Sequence, residues 1–138
     1  MNPVTGAQAK HYLRQVKFEE AMMAAIIVRP RGMAPMIVNS VESLYILFEP
    51  NSKSVPGVDF NELERWLSDI VGDTELADAV HYDSDKGTFF EHCVKVYRKL
   101  DIRLRQYASA MNIPVPEKES RQVVNPTFTL YKNYANHI

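Results

Sequence analysis

The chain has 138 residues, 46% of them hydrophobic and 24% charged, with a formal net charge of −1. That length fits one domain able to bury roughly two-thirds of the surface its unfolded chain exposes, and the composition excludes the weakly hydrophobic, highly charged class that stays disordered. A net charge near zero excludes a whole-molecule attraction to nucleic acid or an anionic membrane, so any such attraction has to be local.

Thr5 with Gln8 three residues on has the form of a capping box, and Ala9, Leu13, Val16, Met23 and Ile27 fall near one helical face. A long first helix is therefore expected from about residue 6 to about residue 28. Arg29-Pro30-Arg31-Gly32 then reads as its terminating turn, with cations where a helix C-terminus favours them. After a short connector, Asn39 and Glu42 form a second candidate capping box ahead of Val41, Leu44, Tyr45 and Phe48, predicting a short helix over 40–49. The β-branched and aromatic content of 36–49 leaves a strand open there. Pro50 to Gly57 has the composition of a surface loop.

Asp59 and Glu62 begin a third helix, in which Phe60, Leu63, Leu67 and Ile70 recur at helical spacing and Gly72 supplies the stop. A shorter fourth helix follows over 74–81. Thr88 and Glu91 cap the most periodic segment of the chain, with Phe89, Cys93, Tyr97, Leu100, Leu104, Tyr107 and Met111 as one apolar seam, and Pro114 and Pro116 end it. The fold class expected is all-α: a helical bundle of about five helices, two of them long, over residues 1–113, with an extended C-terminal arm over 114–138. Phe128, Leu130, Tyr131 and Tyr134 give that arm more apolar surface than a solvated tail carries, so it is expected to dock, in cis or in trans.

Charge divides along the chain. From Asp59 to Asp85 nine acids stand against Arg65 alone, whereas from Lys86 to Met111 bases predominate. The expected acidic partner-binding face comprises Glu62, Asp69, Asp73, Glu75 and Asp78. The basic one comprises Lys10, Arg14 and Lys17 on the first helix and Lys95, Arg98, Lys99, Arg103 and Arg105 on the last. Both could equally be solvated faces, since exposed ion pairs contribute little. A subunit with faces of opposite sign associates with a protein partner, or with itself as a homo-oligomer.

Motifs for chemistry are weak. Asp83-Ser84-Asp85-Lys86-Gly87 with Glu91 has the wrong register for a calcium loop, and helix capping accounts for these residues. Asp78 and His81 share a helix face as metal ligands can, but the second Glu-x-x-His unit of a di-iron bundle is missing. His92 and Cys93 are neighbours whose side chains diverge on a helix, and Cys93 fits an inert core thiol. If Gly72 marked a helix-turn-helix, the second helix would carry Asp73, Glu75 and Asp78, the wrong charge for a DNA groove. Met22, Met23, Met33 and Met36 are core filler or an adaptable contact surface.

No metal or cofactor is expected. The reading is a non-enzymatic interaction or assembly subunit acting through its acidic and basic faces and its arm. The alternatives are a small helical subunit of a nucleoprotein complex and, third, a metal-dependent helical enzyme. The longest apolar run, Ala21 to Val28, is far below the roughly 18 residues of a membrane span, and no signal peptide leads the chain. A single cysteine excludes an internal disulfide and is what a reducing compartment permits, so the expected location is cytoplasmic.

Overall fold

The computed structural model describes residues 1–28, 32–50 and 54–112. In chain order they form α1 (Gly6–Tyr12), a 3-10 turn (Phe18–Glu20), β1 (Met22–Val28), β2 (Gly32–Val38), α2 (Val41–Phe48), β3 (Ser54–Gly57), α3 (Phe60–Arg65) running into a π-helical turn (Trp66–Val71), α4 (Thr74–Ala79), a second 3-10 turn (Ser84–Lys86) and α5 (Phe89–Ala110). The three strands make one antiparallel sheet in the order β2-β1-β3. The molecule is mixed α and β, which corrects the all-α helical bundle. The arm expected over 114–138, with Phe128, Leu130, Tyr131 and Tyr134, lies outside the described residues.

The correction falls mainly on the first 38 residues. Thr5 does cap a helix, with both halves of the capping box made, but that helix stops at Tyr12, and Val16 instead donates its N–H to the carbonyl of Asn39 at 2.8 Å. Met22–Val28 pairs along its whole length with Gly32–Val38. Met and Ala tolerate a helix whereas Ile26, Ile27 and Val28 favour a strand, so local preference left this segment undecided, and the antiparallel ladder with β2 decided it. The turn expected over Arg29-Pro30-Arg31-Gly32 lies outside the described residues except for Gly32, which begins β2 in the left-handed conformation at φ +97°. Ser54–Gly57 likewise adds a strand to what looked like loop.

Other expectations hold with adjustments. The helix over 40–49 is α2, but Ser40 rather than Asn39 caps it, paired reciprocally with Ser43. Asp59 caps α3, accepting from Asn61 and Glu62. Gly72 stops the following turn at φ +94°, its N–H returning to the carbonyl of Leu67 at 3.0 Å. Thr88 and Glu91 complete the capping box of α5.

Helix α5 is the axis of the core. Cys93, Val96, Leu100, Leu104, Tyr107 and Ala108 are buried along one side of it. Against it α2 lays Tyr45, whose ring stacks on Tyr97 with centroids 4.9 Å apart. Tyr45 donates to Asp101 at 2.9 Å, so the 3.1 Å contact between the two phenols has Tyr97 as donor. Tyr12 of α1 meets Tyr107 near the other end. The sheet turns Ala24, Ile26 and Met36 toward this core and anchors by the buried Met22 and Val38. Among the described residues no helix is long and apolar enough to cross a membrane.

Candidate partner-binding surface

The eight basic residues expected to form a binding face have unlike fates. Arg103 is enclosed, its guanidinium 2% exposed. Nε and Nη2 reach the Asp73 carboxylate at 2.7 and 2.9 Å, and Nη1 reaches the Asn2 carbonyl and Gln106 Oε1 at 2.7 and 2.9 Å. Arg14 donates to the carbonyls of His11, Ile70 and Val71, closing the end of the π-helical turn. Arg105 pairs with Asp101 at 3.1 Å. Lys10, Lys17, Lys95 and Arg98 are exposed and Lys99 is half-buried, and none of these five makes an ion pair among the described residues.

The acidic face divides too. Glu62, Asp69 and Asp78 are exposed, whereas Asp73 is interior. Asp73 also caps α4 through the N–H of Leu76 and accepts from the Tyr107 hydroxyl. Burial acts to lower the Arg103 pKa, but the hydrogen bonds and charge of Asp73 more than reverse this, so the guanidinium stays charged. Glu75 takes the Asn2 N–H at 2.9 Å and lies 3.5 Å from Arg103. The buried polar cluster therefore closes the structure around the first residues of the chain and takes Arg103 and Asp73 off the surface.

What remains on the outer side of α5 is a composite ridge. Phe90 (53% exposed), Val94 (40%) and Ile102 (46%) stand at intervals of four and eight, with Arg98 filling the gap in the same row and Lys95 beside it. From Phe90 to Ile102 the ridge runs about 18 Å. At its N-terminal end a groove of about 140 Å³ opens between Phe90 and Val94, the end of α2 at Phe48, and Val55 and Pro56 of β3. Cys93 lies at its base, and burial pushes that thiol up to about 11, leaving it protonated and unreactive at neutral pH. The apolar members of the ridge escape a search for charge patterns. Their signal was apolar residues at helical spacing but off the buried seam of α5.

A second concavity, about 240 Å³, lies across the α4–α5 connection, lined among others by His81, Tyr82, Lys86, Glu91 and His92. The His92 ring packs between Phe60 and Tyr82, with centroids 4.5 and 4.6 Å away. Because a carbonyl only accepts, the 3.0 Å contact from His92 Nε2 to the Val80 oxygen places the proton on Nε2. Burial, with lesser help from Lys95 and His81, lowers the His92 pKa. His81 bonds Glu64 at 2.8 Å rather than joining Asp78, and the Asp83 side chain caps its own turn through the N–H of Asp85. Among the described residues no three of His, Cys, Asp or Glu gather as metal ligands would.

No family model, no curated protein and no solved structure matches this chain.

Proposed function

We propose that this protein is a non-enzymatic binding subunit whose helix α5 docks an acidic, amphipathic segment of a protein partner. The observation that carries this reading is the exposed row Phe90, Val94, Arg98 and Ile102, in which three apolar anchors share a row with one exposed cation and Lys95 lies alongside. Folding leaves these large apolar side chains in water, a cost that docking on a partner recovers at about 25 cal/mol per Å² of apolar surface covered. The cations select acidic neighbours and hold the register of the docked segment. A phosphate backbone suits the row less well, because Phe90 is its only aromatic and its apolar members cannot neutralise charge.

The test is selection from a displayed peptide library with the full chain as bait, repeated with Phe90→Glu and Ile102→Glu. Enriched sequences should carry Asp or Glu with apolar residues at helical spacing, and each variant should weaken their binding at least about tenfold. Peptides that bind both variants as well as the parent would sink the proposal. Tight binding of mixed-sequence DNA or RNA, falling steeply with salt, would replace it with the nucleoprotein reading.

A further inference from the structure

The concavity across the α4–α5 connection holds a polar group that the fold does not use. His92 is only 6% exposed, and its Nε2–H is held by the Val80 carbonyl, so Nδ1 presents a lone pair. Nδ1 takes no hydrogen bond among the described residues, and the only enclosed side-chain atoms without a partner among them are the Glu42 oxygens. Nδ1 therefore opens into the concavity that its ring lines. With Phe60 and Tyr82 packed on the ring, this acceptor is fixed in place.

Two charges of opposite sign stand beside it on α5. Glu91 accepts the Thr88 N–H through Oε1 at 3.2 Å, which anchors the carboxylate and leaves Oε2 to the concavity. Lys95 lies one turn on, at i+4 from Glu91 and i+3 from His92, and lines the same space. Glu91 and Lys95 make no ion pair with each other among the described residues, because the cap turns the carboxylate back toward Thr88. Across the rim Asp83 and Lys86, 3.9 Å apart, repeat the mixture of signs.

That lining selects by charge. A simple anion would meet the Glu91 carboxylate and the His92 lone pair, and a simple cation would meet Lys95. A metal ion is not served, since among the described residues no three ligating side chains converge. A molecule carrying both charges satisfies every group at once. The volume, about 240 Å³, falls below the roughly 300–1,000 Å³ of pockets that hold drug-sized ligands, so the ligand is small.

We infer that this concavity binds a small zwitterion of the free amino acid class, its ammonium donating to His92 Nδ1 and Glu91 and its carboxylate accepting from Lys95. The site is separate from the exposed row of α5, with which it shares Lys95 alone. Titration of the full chain with a panel of free amino acids, followed through the imidazole nitrogen resonances of His92, tests this. At least one should bind with a dissociation constant below about 10 mM and shift the Nδ1 resonance as that nitrogen gains a hydrogen bond. The N-acetyl and methyl ester forms of the same amino acid, each lacking one charge, should bind at least about tenfold more weakly. Glu91→Gln keeps the helix cap, because Gln serves equally in a capping box, and it and Lys95→Gln should each weaken binding by a similar factor. Ile102→Glu, on the exposed row, should bind the amino acid like the parent. The inference is overturned if no amino acid moves the Nδ1 resonance, if either blocked form binds as well as the free one, or if Glu91→Gln or Lys95→Gln binds like the parent.

Discussion

Asp73 accepts four hydrogen bonds, from Leu76, Tyr107 and two nitrogens of Arg103, while almost fully enclosed. Removing one side of such a pair strands the other charge in a medium that solvates it poorly, so Asp73→Ala should lower stability by about 3–5 kcal/mol in urea unfolding. Glu42 is the opposite case: its carboxylate is fully enclosed and neither oxygen has a hydrogen-bond partner. Burial pushes its pKa up from 4.5 to about 7, and the nearby Ser40 hydroxyl and its own N–H offset only part of this. The folded state therefore holds the proton where the unfolded chain has lost it. Stability from this group is full below pH 4.5 and declines as pH rises toward 7, by about 3 kcal/mol in total. Glu42→Gln should remove that decline, making the variant the more stable protein at pH 8; equal slopes for parent and variant between pH 5 and 8 would rule the account out. From sequence Glu42 looked like half of a capping box, and only the placement of the cap at Ser40 shows that it is not.

At the scale of elements, capping residues were the most legible signal. Thr5, Asp59, Thr88 and Gly72 act where the pattern placed them, because a cap bonds to groups two or three residues away and needs nothing distant. Adding a Cβ at Gly72 would meet nothing closer than Tyr12 at 3.7 Å, so its constraint is the positive φ and not space. Gly72→Ala should therefore cost about 1–2 kcal/mol, measured as a lower urea midpoint with an unchanged slope. The β1-β2 hairpin was not legible. Met22–Val28 has an apolar content that suits helix and strand alike, and its partner strand contains a proline. The seam of α5 was readable from its period, but Arg103 on its edge was not: a guanidinium at that position is solvated or enclosed depending on whether a carboxylate 30 residues earlier comes to meet it.

At the scale of the whole molecule, the exposed large apolar groups among the described residues, Met1 and Phe18 apart, lie on the ridge of α5 (Phe90, Val94, Ile102) and on the sheet (Met23, Met33, Ile37). Arg98 stands within the ridge of α5 and Lys95 beside it, so salt should weaken peptide binding there. The sequence by itself determined where most helices begin and end, the buried side of α5 and the division of charge between the acidic middle and the basic last helix. Each of these depends on neighbours a few residues apart. Only the tertiary structure decided that Met22–Val28 and Gly32–Val38 are strands, that Arg103 and Asp73 face each other inside, and that Phe90, Val94 and Ile102 stand with Arg98 on open surface. Those outcomes turn on pairing and burial between distant segments, whose energies exceed the small local preferences that sequence spacing reports.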